Sequence, residues 1–218
     1  MTLQDLYDQL AIGELSQVAI SDGGTISLEN QKKLLPQINL GILELHKRFP
    51  LREQTIVIRK NTDRDISFEI EEPTYLKVEK VFGPDCSKIG CEKEYLIDQE
   101  GHTDSVYMPT WNIVMLPRCL PNGHYKVQFR AKHDPIEELW LEELGARFLS
   151  LPIPPTHVYA LELFIASQYM TAMGFDGEMH EGNNYTNKFE QAINQLTLKG
   201  FHRQINTESD NFRDSGWV

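Results

Sequence analysis

The stretch that most restricts what this chain can fold into is PIPPTHVYALELFIASQYMTAMG at 152–174, followed after a short polar link by NNYTNKFEQAINQLTLKGF at 183–201. In the first, Val158, Leu161, Ile165, Tyr169 and Ala172 recur at steps of three and four, while Ala160, Phe164, Ser167 and Thr171 mark a second small or apolar stripe. Two stripes predict a helix packed against two neighbours. In the second, Tyr185, Phe189, Ile193 and Leu196 share one face and polar residues occupy the rest, which predicts a half-exposed helix. Pro154 and Pro155 belong ahead of or within a first turn, and Gly174 and Gly200 suit positions just past a helix end. The link GFDGEMHEG is short and glycine-rich enough to reverse the chain, so the expectation is an αα-hairpin.

Upstream, Leu3, Leu6, Tyr7 and Leu10 and, beyond Gly13, Leu15, Val18 and Ala19 sit at helical spacing with Thr2 as N-cap. From Ser27, the residues Leu35, Ile38, Ile42, Leu45 and Phe49 form one apolar seam. Pro36 lies inside it; either the helix starts near there or it is continuous and bent, and the unbroken seam favours the second. After Pro50 the period changes. Residues 55–60, 66–70, 74–83, 106–116 and 124–132 are rich in β-branched and aromatic side chains and are separated by turn clusters, which predicts strands. Pro-Asn-Gly at 121–123 reads as a hairpin turn pairing 106–116 with 124–132 antiparallel. DPIEELWLEEL, 134–144, returns to helical spacing.

The predicted class is therefore α+β: mainly a helical bundle, 1–51 and 150–201, made of the N-terminal helices and the C-terminal αα-hairpin. It carries an inserted antiparallel β domain, 52–149, and an extended C-terminal arm, 202–218. The arm is too polar to fold alone. Its Phe212 and Trp217 either dock on a partner or fold back on the chain's own helices.

Composition narrows the function classes. No run of 18 apolar residues occurs and the N-terminus is acidic, so neither a transmembrane helix nor a secretory signal is expected. Three cysteines, Cys86, Cys91 and Cys119, are few and odd in number, which favours a reducing compartment over a disulfide framework. A formal net charge of −11 argues against a surface that grips phosphates, because such affinity comes from lysine and arginine.

Catalytic and metal signatures are weak. Cys86 and Cys91 with His102, His124 and His133 lack the second close pair of a zinc site. Glu137, Glu138, Glu142 and Glu143 crowd one short helix, where a solvated face is expected, rather than flanking a scissile bond. His157 opens a helix with no nucleophile or orienting acid at a telling spacing. No Gly-rich nucleotide motif is present.

Three blocks, KKLLPQINLGILELHKRFPLREQTIVIRK (32–60), PIPPTHVYALELFIASQYMTAMG (152–174) and GNNYTNKFEQAINQLTLKGF (182–201), resemble the head-to-tail adaptor (head completion, or connector) proteins of tailed bacteriophages, and the closing NFRDSGWV resembles that family's carboxy-terminal arm. The resemblance implies a structural virion protein and not an enzyme: a ring of about twelve copies at the portal vertex, assembled in the host cytoplasm, with DNA passing through the lumen without specific binding. It implies contacts with the portal protein, with a tail or nozzle protein and with copies of itself, and none with a membrane. Asn211, Phe212, Arg213, Gly216, Trp217 and Val218 would bind the portal. It implies no catalytic residue, no metal and no cofactor. Two other classes remain open: a tail-associated enzyme that degrades cell wall, and a carbohydrate-binding tail module using Trp111, Tyr107 and Tyr125 as a stacking platform.

Overall fold

The computed structural model describes residues 1–16, 21–22, 24–84, 92–103, 105–173 and 178–200. The chain divides into two compact units: unit 1, residues 1–45, 49–51 and 135–218, and unit 2, residues 46–48 and 52–134.

Unit 1 holds the helices. Helix α1, Leu3–Ile12, begins at a capping box in which the Thr2 hydroxyl accepts from the Asp5 amide and the Asp5 carboxylate accepts from the Thr2 amide, and Gly13 closes it. Leu3, Leu6, Tyr7 and Leu10 are buried, as their spacing requires. A two-residue hairpin of β1, Ser21–Asp22, and β2, Thr25–Ile26, leads to α2, Leu28–Arg48, capped by Ser27. Helix α2 runs through Pro36 without a break; proline removes one helical donor there, and the fully buried Leu34, Ile38, Ile42 and Leu45 hold the helix together by packing.

Helix α3, Glu138–Glu143, is short. A single 3₁₀ turn, Pro155–His157, then opens α4, Val158–Met173, and α5, Glu178–Leu198, follows. The start of α4 and the end of α5 line one groove, while Gly182 near the start of α5 lies against Thr171 near the end of α4, so the two are antiparallel. This is the expected αα-hairpin, with α5 beginning at Glu178, five residues before the stretch 183–201 assigned to it from the sequence. The rings of Phe164 and Phe189 meet edge to face across it at 5.3 Å. Gly41 of α2 faces α4 so closely that a Cβ there would lie 2.5 Å from Leu161 Cδ1 and 2.9 Å from Phe164 Cδ1. One continuous apolar core joins α1 to α5.

Unit 2 holds the large sheet: β3 Glu53–Lys60, β4 Ile66–Glu69, β5 Tyr75–Pro84, β6 Glu92–Ile97, β7 Ser105–Thr110, β8 Ile113–Leu116 and β9 Gly123–Ala131. Their order is β3-β9-β5-β6-β7-β8-β4. Strand β9 is the spine, with Tyr125, Val127, Phe129 and Ala131 turned into the core at every second position. In β5 the buried residues Tyr75, Val78 and Val81 come at steps of three, because register shifts against β9 at two places each add one residue without turning the inward face away. Gly83 is required by a close approach: a Cβ there would lie 2.4 Å from the ring of Tyr125 and 3.0 Å from that of Tyr95.

The predicted fold class is corrected on this sheet. The protein is a mixed α/β fold with a nearly closed seven-stranded sheet, not a mainly helical bundle, and the sheet is not wholly antiparallel because β6 and β7 run parallel. Residues 106–116 are two strands, not one; Trp111 and Asn112 turn the chain back so that β7 and β8 pair with each other. Strand β9 pairs with β3 and β5, not with 106–116. Strand β6 escapes a reading by alternation because Tyr95 alone among its six residues is buried. Its pairing with β7 is parallel and confined to Leu96–Ser105 and Ile97–Val106. Between them the chain turns through Asp98 and Gly101, both at positive φ, and the Asp98 carboxylate accepts from the Met108 amide at 2.6 Å.

Candidate functional site

The residues expected to bind a portal, Asn211, Phe212, Arg213, Gly216, Trp217 and Val218, lie outside the described residues, as do Cys86 and Cys91. The other candidates are placed. His157 is buried, its ring edge-on to Phe49 at 4.7 Å and its Nδ1 3.1 Å from the Thr156 hydroxyl, so it packs the start of α4 rather than facing solvent. Glu138 and Glu142 both engage Lys32, and Glu137 and Glu143 are exposed beside them. These acids line one solvated surface. Cys119 is exposed with its thiol toward the Thr103 carbonyl, and His133 is buried with Nδ1 2.6 Å from the Asp134 carbonyl. Among the described residues, no group of three or more His, Cys, Asp or Glu side chains is placed to hold a metal ion.

The three rings considered for a sugar platform do not share a surface. Trp111 is 72% exposed and Tyr107 half-buried, whereas Tyr125 is fully buried, its ring tilted against that of Tyr95 at 5.6 Å and its hydroxyl donating to the Pro121 carbonyl at 2.6 Å. Trp111 instead lies against Tyr75, whose hydroxyl donates to the Trp111 carbonyl at 2.6 Å.

Three features of the structure went unnoticed in the sequence. The first is Glu162, the lone charge inside the apolar stretch of α4. Burial pushes its carboxyl up from 4.5 to about 7, Glu14 adds a like charge, and its Oε1 has no hydrogen-bond donor among the described residues. The second is a groove of about 340 Å³ between the start of α4 and the end of α5, lined by Tyr159 and Ala160 on one side and Ala192, Gln195, Leu196 and Lys199 on the other. The third is an apolar projection on α3 and the turn after it, where Leu139, Trp140, Leu144 and Phe148 are all exposed, Phe148 by 80%. A sequence signal for it exists: ELWLEELGARF has apolar residues on more sides than a six-residue helix can bury.

In unit 2, Ile56 of β3 and Phe68 and Glu69 of β4 border a cavity of about 490 Å³ together with Ile70, Glu71 and Glu72. The two outermost strands of the sheet order thus face a common opening with an acidic lining. No helix among the described residues is long and apolar enough to cross a membrane.

No protein-family model matches this sequence, and no curated protein matches it. The functional reading therefore rests on the residues themselves.

Proposed function

We propose that this chain is a structural virion protein, a head-to-tail adaptor that assembles as a ring at the portal vertex and gives the tail its attachment platform. The observation that carries the reading is in unit 1. Its helices already enclose a continuous core, yet Leu139, Trp140, Leu144 and Phe148 remain exposed, together with an apolar groove between α4 and α5. A folded unit that leaves such side chains outside is suited to being covered by other chains. The three sequence blocks that resemble phage adaptors point the same way, and two of them form the antiparallel hairpin.

In this reading unit 2 meets the tail or nozzle protein, and Asn211, Phe212, Arg213, Gly216, Trp217 and Val218 meet the portal. Phe212 and Trp217 would each gain about 2–3 kcal/mol on full burial. Ordering the segment costs about 1–2 kcal/mol per fixed residue, so one arm binds weakly and a ring of arms gains avidity of roughly 10²–10⁴. The acidic balance of −11 suits a lumen that repels phosphate and lets DNA slide.

The test uses portal-bearing heads that lack tails. The full chain should attach to them. Chain 1–201 should keep its thermal midpoint and fail to attach. Equal attachment by both chains overturns the portal-binding role of the arm, and release of peptidoglycan fragments by the purified protein overturns the structural role in favour of the cell-wall enzyme.

A further inference from the structure

Two exposed surfaces of unit 1 have opposite character. One projects: Leu139, Trp140, Leu144 and Phe148 stand out from α3 and from the turn that begins at Gly145, whose carbonyl accepts from the Phe148 amide. Around them are four glutamates, of which Glu138 and Glu142 pair with Lys32, while Glu137 and Glu143 have no ion pair among the described residues. Even with Lys32 and Arg147 counted, this projection is acidic. The other surface is concave. The α4–α5 groove is floored by the small Ala160 and Ala192 and by Leu196, walled by the half-exposed Tyr159, and rimmed by Lys199, which has no ion pair among the described residues.

We infer that these surfaces bind each other between copies of the chain: the acidic apolar projection of one copy seats in the basic-rimmed groove of the next. Small residues on the groove floor leave room for an aromatic side chain, and among the described residues of unit 1 Phe148 is the most exposed aromatic. Lys199 of one copy then faces Glu137 and Glu143 of its neighbour, which gives the contact a direction. No residue belongs to both surfaces, so the contact is head to tail. Head-to-tail contacts propagate, and they form a ring when the rotation closes. Closure into a ring rests on the adaptor reading; the pairwise contact requires only two copies.

Sedimentation of the full chain tests the contact, using variants whose changed side chains are exposed. A projection variant carries Leu144→Asp and Phe148→Asp; a groove variant carries Tyr159→Asp and Lys199→Glu. Wild type should form assemblies larger than a pair. Each variant alone should associate at least about tenfold more weakly. An equimolar mixture should form pairs and stop there, because one intact projection and one intact groove remain.

A groove variant that associates like wild type overturns the inference in favour of projection meeting projection. A mixture without pairs, or a wild-type chain that stays monomeric, overturns it outright. Unchanged circular dichroism and thermal midpoint guard against misfolding. A second route avoids the apolar changes: Glu143→Lys and Lys199→Glu should each weaken association, and their combination in one chain should restore it. Simple addition of the two losses overturns the proposed facing of these charges. Attachment to tailless heads separates the two readings. A chain that attaches without self-associating sinks this contact alone, and one that self-associates without attaching sinks the adaptor reading alone.

Discussion

The helical unit and the sheet unit reach stability by different routes. In unit 1, residues close in sequence form the elements, and their seams meet in one core: α2 alone presents Leu34, Ile38, Ile42 and Leu45 at helical spacing. In unit 2, the pairing of β3 with β9 joins Glu53 to Arg130 and Lys60 to Gly123, so the spine strand has no partner until the chain has travelled out and back. Contacts so distant in sequence must overcome loop-closure entropy before they stabilise anything. The two units also treat their surfaces differently. Unit 1 gathers exposed Leu139, Trp140, Leu144 and Phe148 on one short segment, while the exposed apolar residues of unit 2, Val57, Phe68, Leu96 and Trp111, are spread over β3, β4, β6 and the β7–β8 turn of a nearly closed sheet. The lesson is that these units should fail separately, and each at its own kind of residue.

The largest effect should come from emptying each core. Phe129→Ala, on the spine strand, should cost about 3–5 kcal/mol, and Ile42→Ala, on α2, about 2–5 kcal/mol. Native-state hydrogen exchange should show the first loss in unit 2 amides and the second in unit 1 amides. Equal weakening of both units by either substitution would abolish the distinction.

Overfilling comes next. Gly83→Ala drives a methyl into the rings of Tyr125 and Tyr95 and should cost unit 2 about 1–3 kcal/mol. Gly41→Ala makes the corresponding intrusion between α2 and α4, where helix propensity returns about 1 kcal/mol. The helical site should therefore be the more tolerant of the two, as thermal midpoints would show.

A smaller effect separates the units by pH. Glu162 is raised in the folded chain to about 7 from 4.5, so its folded carboxyl holds a proton that the unfolded one has lost. The resulting stabilisation is complete below 4.5 and fades as pH rises to 7. Discounted for its partial exposure, it amounts to about 1–2 kcal/mol. Unit 1 should thus lose stability across this window, and Glu162→Gln should flatten the loss. Urea titrations at pH 4.5 and 7.5 measure the difference; a slope unchanged in the Gln variant sinks the assignment.

The smallest is the cap of α1. Thr2→Ala removes the hydroxyl that accepts from the Asp5 amide and should cost about 1 kcal/mol, seen first as faster exchange in the opening turn.

Legibility followed the same divide. The α4–α5 hairpin, the continuity of α2 through Pro36 and the Thr2 cap can be read from periods of three and four, because each depends on neighbours within a turn or two. Strand β6, the division of 106–116 into β7 and β8, and the partners of β9 cannot. A strand with only Tyr95 buried carries no alternation, and Asn122–Gly123 marks a turn without naming the strands on either side. Of the candidate site, the acids of α3 were visible as a solvated face. The groove was not, since it exists only where the start of α4 meets the end of α5.

The sequence by itself determined the apolar seams of α1, α2, α4 and α5, the Thr2 cap and the acidic balance, since these follow from local spacing, capping and charge, but not where α1 ends or where α5 begins. The tertiary structure alone decided the strand order, the parallel contact of β6 with β7, the burial that lifts Glu162, and the exposure of Leu139, Trp140, Leu144 and Phe148. Each of these depends on which distant surfaces come together and which are left over, and no local period encodes that.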